Sequence, residues 1–295
     1  MSEIRIDALL PQEMATRAEY LGVRKAEMPF LRMFMLAVLA GAFISLGAIF
    51  ATTVSAGSMA INTPTGDIAF STGLPYGVTR LLAGFVFSLG LILVVVGGAE
   101  LFTGNNLIVM AWASGKVTTR GLLRNWGIVY LGNFVGAAGT VVLMFFTRQY
   151  TFGSNAVGIT ALRTGVAKCD LTFLQAIALG ILCNGLVCLA VWLSYSARST
   201  VDKILAILFP ITAFVAAGFE HSIANMYFVP YALFIKMFDA GFITAVSDKV
   251  PQLEKLTWQT FLVNNLLPVT IGNILGGAVL VAAVYWTIFL RPEKS

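Results

Sequence analysis

The sequence predicts an all-α integral membrane protein with six transmembrane spans. Of its 295 residues, 58% are hydrophobic and 11% are charged, less than half of the about 25% charge that soluble domains carry. Mean hydropathy is +0.86, and a surface so poor in charge belongs in lipid rather than water. Apolar stretches near the ~20 residues that cross a bilayer recur six times. Disorder is excluded by 22 Phe, 5 Trp and 8 Tyr, which supply ample apolar surface. The net charge of +5 fits the positive-inside bias of membrane proteins better than a nucleic-acid partner.

The N-terminus lacks the apolar core of a signal peptide. Leu10, Met14, Ala18 and Leu21 fall at helical spacing, with Pro11 at a first-turn position. An amphipathic helix over residues 8–25, lying on the membrane surface or packed on a partner subunit, is expected. The spans follow at about Met33 to Val54, Tyr76 to Ala113, Leu122 to Phe146, Leu171 to Tyr195, Ile204 to Phe238 and Phe261 to Leu290. Lys and Arg concentrate in the N-terminus (Arg5, Arg17, Arg24, Lys25, Arg32), two alternate loops (Lys116, Arg120, Arg124; Arg198, Lys203) and the C-terminus (Arg291, Lys294). Six spans with both termini in the cytoplasm satisfy that bias. The chain divides into an N-terminal cytoplasmic helix region (1–29), a six-span pore domain (30–290, with repeat halves 30–147 and 168–290) and a cytoplasmic tail (291–295).

The second and fifth stretches are too long for one straight crossing, and each is polar inside. Glu100, Thr103, Gly104, Asn105 and Asn106 interrupt one; Glu220, His221, Ser222 and Asn225 interrupt the other. Non-helical backbone survives at membrane depth only where protein or a water-filled cavity satisfies it. Both read as broken helices, with half-helices beginning near Asn105 and Ile223. The halves also repeat. Leu131-Gly132-Asn133-Phe134-Val135-Gly136 matches Ile271-Gly272-Asn273-Ile274-Leu275-Gly276, Asn125 pairs with Asn265, and Gly98-Ala99-Glu100 matches Gly218-Phe219-Glu220. Three spans followed by three must face opposite ways, and inverted repeats with paired discontinuous helices point to a solute site near the midplane.

His221 is the single histidine. One reading is a neutral ring that holds the loop; the other is a hydrogen-bond or proton donor to a passing anion, which would lower the cost of a charge in an apolar pore. Glu100 and Glu220 occupy equivalent places, as acids in a proton path or as carboxylates that bind loose backbone N–H groups. Lys168 is a vestibule charge that draws anions inward or an ordinary interfacial lysine. The glycines Gly132, Gly136, Gly272, Gly276 and Gly277 fit close helix contacts. Three scattered cysteines and one histidine form no disulfide framework and no metal cluster, and no nucleotide fingerprint occurs, so neither metal nor cofactor is expected.

Ala99-Glu100-Leu101-Phe102-Thr103-Gly104, Asn125-Trp126 with Tyr130 to Gly136, and Gly218-Phe219-Glu220-His221-Ser222-Ile223-Ala224-Asn225-Met226 resemble the span-2, span-3 and span-5 signatures of the formate/nitrite transporter family. The likeness runs from Leu10-Pro11 to Tyr285-Trp286, and the FEHSIANM run with Pro230 is most similar to the formate-channel branch. The resemblance implies an aquaporin-like protomer in a homopentamer, in the cytoplasmic membrane and surrounded by lipid. It implies passage of small weak-acid anions: formate first, then nitrite, acetate, lactate or hydrosulfide. Thr103 and His221 would be the central polar pair, and Asn184 and Asn273 polar pore residues. Phe87, Leu91, Leu101, Val187 and Phe214 would form apolar constrictions, with Lys168 attracting anions and Glu100 and Glu220 anchoring loops. Whether the anion crosses as such or takes a proton from His221 stays open.

Two other classes fit less well. A neutral-solute pore of the aquaporin type would carry paired Asn-Pro-Ala motifs, and none occurs. A membrane-embedded enzyme using Glu220 and His221 would need a nucleophile in a matching motif, and none is evident. An enzyme is therefore not expected.

Overall fold

The computed structural model describes residues 8–56, 58–63, 66–71 and 74–292. Residues 1–7 and 293–295 of the expected terminal regions, with Arg5 and Lys294, lie outside the described residues. The elements in chain order are α1 (Pro11–Ala26), α2 (Phe30–Ser55), β1 (Ser58–Thr63), β2 (Gly66–Ser71), α3 (Tyr76–Gly97), α4 (Val109–Ala113), α5 (Thr119–Thr147), α6 (Ala156–Cys169), α7 (Phe173–Ser196), α8 (Thr200–Ala217), α9 (Ser222–Phe238), α10 (Ala240–Val246) and α11 (Trp258–Phe289). Among the described residues six helices, α2, α3, α5, α7, α8 and α11, are long and apolar enough to cross a membrane. The membrane-crossing part is entirely helical. Between α2 and α3, β1 and β2 add an antiparallel hairpin with Ser58 opposite Ser71.

Local chemistry starts each helix where the sequence changes character. Pro11 opens α1, and the Glu13 carboxylate accepts from Leu10 N at 2.9 Å. Pro29 and Pro75 precede α2 and α3. Thr118 and Thr172 cap α5 and α7 through their side-chain oxygens, and Ser199 with Asp202 forms a reciprocal cap on α8. The two interrupted stretches stop alike. α3 ends at Gly97 and α8 at Ala217, each followed by a left-handed glycine, Gly98 and Gly218, both at φ +79°. Only glycine takes this conformation without strain.

The segments beyond the stops differ. After Gly218 the chain re-enters an α-helix at Ser222 and runs to Phe238. After Gly98 it forms a 3₁₀ segment, Gly104–Ile108, and the five-residue α4. The half-helix expected near Asn105 is thus shorter and tighter than its counterpart. α11 carries two π-helical segments, Phe261–Leu266 and Leu275–Ala283.

Packing inverts the soluble pattern. Leu143, Phe146, Leu174 and Phe209 point outward on the spans, while Asn105, Asn125, Asn133, Asn184, Asn225, Asn265 and Asn273 are buried. Apolar atoms face the lipid side and polar groups face one another, as membrane burial demands. α1 packs against its own chain. Its Met14, Ala15, Ala18 and Ala26 are buried with Ile108, Met110 and Ala282 of its own chain. Arg17 donates to Tyr195 O at 3.1 Å and Gln12 to Phe289 O at 2.6 Å. Leu10 stays exposed, so the stripe that packs is small-residue rather than leucine-rich.

Close helix approach needs glycine at two equivalent places. A Cβ on Gly136 would land on the Val38 carbonyl, and one on Gly276 on the Ile181 carbonyl. Backbone cannot yield as a flexible side chain can. Gly136→Val and Gly276→Val should each lower stability by at least the about 1–3 kcal/mol of an over-packed core. Gly139→Val, where nothing lies within 4 Å, should be nearly silent. Thermal unfolding of the detergent-purified protein checks this, and equal melting of all three variants would contradict the packing account.

Candidate functional site

Two sets of hydrogen bonds hold the interruptions open. In the first, Asn133 Oδ1 accepts from Phe102 N at 3.0 Å, and its Nδ2 donates to Ala37 O at 2.8 Å and Glu100 O at 2.9 Å. In the second, Asn273 Oδ1 accepts from Ser222 N at 2.9 Å, and its Nδ2 donates to Gly180 O at 2.8 Å and Glu220 O at 2.9 Å. Each side chain thus satisfies two backbone groups freed by the break and ties them to a carbonyl of a neighbouring helix, Ala37 on α2 or Gly180 on α7. The acids follow suit. Glu100 takes Lys25 Nζ at 2.6 Å and Asn105 Nδ2 at 2.7 Å; Glu220 takes Lys168 Nζ at 2.8 Å and Asn225 Nδ2 at 2.7 Å. Asn125 and Asn265 donate to the carbonyls of Lys25 and Lys168, both at 3.0 Å.

The two interruptions meet at Thr103 and His221. Thr103 Oγ1 lies 2.9 Å from His221 Nε2, with both residues buried. The tautomer follows from the other ring nitrogen. His221 is the N-cap of α9, and its Nδ1 accepts from Ala224 N at 3.1 Å. Nδ1 therefore holds a lone pair, and in the neutral ring Nε2 carries the proton. That N–H donates to Thr103 Oγ1, which leaves the hydroxyl hydrogen free to turn. The Thr103 carbonyl is fixed in turn by Asn184 Nδ2 and Cys188 Sγ, each at 3.3 Å. The His221 ring stacks on Phe214 at 5.9 Å.

Cavities approach this pair from opposite ends of α3. One, of about 470 Å³, reaches Phe87, Phe214 and His221 and is lined by Arg80, Lys168 and Glu220. The other, of about 520 Å³, reaches Leu91 and Leu101 and is lined by Arg17, Arg24, Lys25, Arg32, Lys203 and two acids, Glu27 and Glu100. Neither is lined by Thr103 or Val187. Phe87 and Phe214 meet edge to face at 5.7 Å.

The geometry brings most of the expected residues together and changes the work of three. Asn273 has no side-chain N–H left over, because both Nδ2 hydrogens go to backbone carbonyls, Gly180 O and Glu220 O. Asn184 likewise gives its Nδ2 to the carbonyls of Thr103 and Asn273. Lys168 is no free interfacial lysine: it is paired with Glu220, its side chain is 14% exposed, and its Nζ stands 5.3 Å from the Phe228 ring centroid. Val187 is 1% exposed in the core. Sequence reasoning passed over Lys25, Asn133 and Arg80. Lys25 and Asn133 were legible in the repeat, since Lys25 precedes Lys168 by nearly the same offset that separates Asn133 from Asn273.

Residues 12–287 match the family model described as formate/nitrite transporter. The chain belongs to the formate/nitrite transporter family. Formate channel FocA of Escherichia coli (strain K12) is 46% identical over 288 residues, covering 97% of this chain and 96% of FocA. FocA of Haemophilus influenzae is 40% identical, covering 92% of each. A solved structure described as a pentameric formate channel with formate bound is 45% identical, with a TM-score of 0.79 over 89% of this chain and 98% of that one. With six apolar crossings, this family member is a multi-pass membrane protein.

Asn273→Ala and Asn133→Ala should each orphan the two loop backbone groups that the side chain holds, at about 1–3 kcal/mol per group. Both should melt well below wild type, while exposed Asn264→Ala should not. A silent Asn273→Ala would contradict the clamp.

Proposed function

We propose that the protein is a homopentameric channel or proton-coupled transporter for formate, with one pathway per protomer. It lies in the cytoplasmic membrane with both termini in the cytoplasm. The reading is supported most by one observation: the single histidine presents Nε2–H at the junction between two cation-lined cavities. Residues 30–290 form the pore domain, an aquaporin-like inverted repeat in which α3 with α4 and α8 with α9 are the two broken spans. The matched contacts of Asn133 and Asn273 speak for that arrangement. The names of the FocA relatives and of the pentameric neighbour speak for formate and for the assembly.

The mechanism follows from charge and size. Cations at either mouth raise the local concentration of anions. Phe87 and Phe214 on one side, Leu91 and Leu101 on the other, admit only a solute small enough to pass and weakly enough hydrated to shed its water. A bare carboxylate there is costly, and Nε2–H with the Thr103 hydroxyl offsets part of that cost. A weak acid adds a second route, crossing as the neutral molecule when it gains a proton. Thr103, His221 and the apolar rings carry permeation. Lys168 acts on capture, with Glu220 and Glu100 anchoring the loops behind.

Uptake of formate and nitrite into proteoliposomes loaded with a pH dye tests the reading. Formate faster than nitrite is expected; nitrite faster would move the substrate to the other name the family carries, and no flux of either would overturn the transport reading. His221→Asn should assemble yet change the pH dependence of flux, and an unchanged profile would exclude a proton role. Lys168→Ala should slow uptake severalfold at low formate and little at saturation. Equal loss at all concentrations would count against capture.

A further inference from the structure

Arg80 is a cation of the Phe87-side cavity whose own hydrogen bonds the mechanism above leaves unused. It stands on the second turn of α3, and among the described residues no carboxylate pairs with it. Its Nε donates to Ala216 O at 3.2 Å, and its Nη2 donates to Val215 O. Both carbonyls belong to the last turn of α8, just before left-handed Gly218. The last carbonyls of a helix lack α-helical partners and carry negative partial charge; here Val215 O also accepts from Gly218 N at 3.1 Å, and Arg80 adds the charged donor. Val215 and Gly218 line the same cavity as Lys168 and His221, so without Arg80 that negative end would face the route of an incoming anion.

The contact also fixes geometry. Arg80 and Phe87 lie two turns apart on one face of α3, and Val215 directly follows Phe214 on α8. The guanidinium therefore ties together the two helices that each contribute one ring to the constriction, where the rings meet at 5.7 Å. The opposite constriction lacks such a tie. The position matching Arg80 at the offset of 120 that relates Glu100 to Glu220 is Thr200. Among the described residues, no side chain donates to the carbonyls of Val95, Val96 or Gly97 that end α3.

We propose that Arg80 is a positioning and specificity-determining residue for anion passage, which sets the Phe87–Phe214 aperture and cancels the negative end of α8 on that side alone. The inference rests on the transport reading above, and its consequence is one-sided. Removing Arg80 should alter capture from the Phe87 side and size selection, while capture from the Leu91 side stays as it was.

The test measures initial rates of formate, nitrite, acetate and lactate flux in proteoliposomes, in both directions, for wild type, Arg80→Met and Arg80→Lys. Arg80→Met should raise the half-saturating concentration about three- to tenfold for passage from the Arg80 mouth only, the scale of a charge at a partly buried helix end. It should also lower the ratio of formate to lactate rates. Arg80→Lys should recover half-saturation more than the ratio, because it keeps the charge without the two-pronged tie. A purely structural role would cut all rates in both directions by one factor and leave the ratio intact; that result, or unchanged kinetics in an assembled Arg80→Met protein, would overturn the proposal. If Arg80→Met fails to assemble, Arg80→Gln takes its place in the same comparison. A wild type that carries nitrite and not formate would overturn the formate assignment alone, and the Arg80 effect would then be read on nitrite against acetate.

Discussion

The structure depends on satisfying backbone at two places where helices stop among buried residues, after Gly97 and after Ala217. An unpaired N–H or C=O there costs several kcal/mol, and each stop frees several such groups. Asn133 and Asn273 answer this with one side chain apiece, and each uses its amide on three backbone atoms. Every other feature of the centre follows. With the loops held, Thr103 and His221 can face each other. With His221 capping α9 through Nδ1, its Nε2–H is committed to the junction.

The polar interior is layered by task. Asparagines hold backbone, the carboxylates of Glu100 and Glu220 hold lysines and asparagines, and the Thr103 hydroxyl and the His221 N–H meet where the two interruptions face each other. Around them the rings of Phe87 and Phe214 and the branched chains of Leu91 and Leu101 keep the dielectric low. A low dielectric strengthens a single donor. In the pathway we propose, it would also reject ions that cannot shed their water, so selectivity would follow from pore size, donor number and field together. The charge is not shared evenly. The cavity beside α1 gathers five cations, while the cavity beside Arg80 has two.

Much of this was legible in the chain. Six apolar stretches mapped onto six crossings because ~20-residue length and charge depletion are dictated by the bilayer. The polar interruptions at Glu100 and Glu220 stood out because such residues are expensive there, and Gly98 and Gly218 marked the stops. What stayed hidden was long-range pairing. Spacing cannot tell that Asn273 is spent on Gly180, Glu220 and Ser222 while His221 turns its Nε2–H to Thr103. Nor can the Leu10–Leu21 pattern reveal that α1 packs on its own chain through Ala15 and Ala18, because small residues carry little hydrophobic signal. The short 3₁₀ segment after Thr103 was equally out of reach, since Asn105 and Asn106 are compatible with several backbones.

The central claim is that His221 stands as a fixed donor, bare at Nδ1 and protonated at Nε2, toward the solute. One histidine in the chain makes this measurable without assignment. Nitrogen-15 solid-state NMR of histidine-labelled protein in lipid, with and without formate at constant pH, reports both ring nitrogens. The account predicts the tautomer protonated at Nε2 alone, with the Nε2 resonance moving on formate addition and Nδ1 staying a hydrogen-bonded acceptor. A ring protonated at Nδ1, or an Nε2 resonance indifferent to saturating formate, would contradict it.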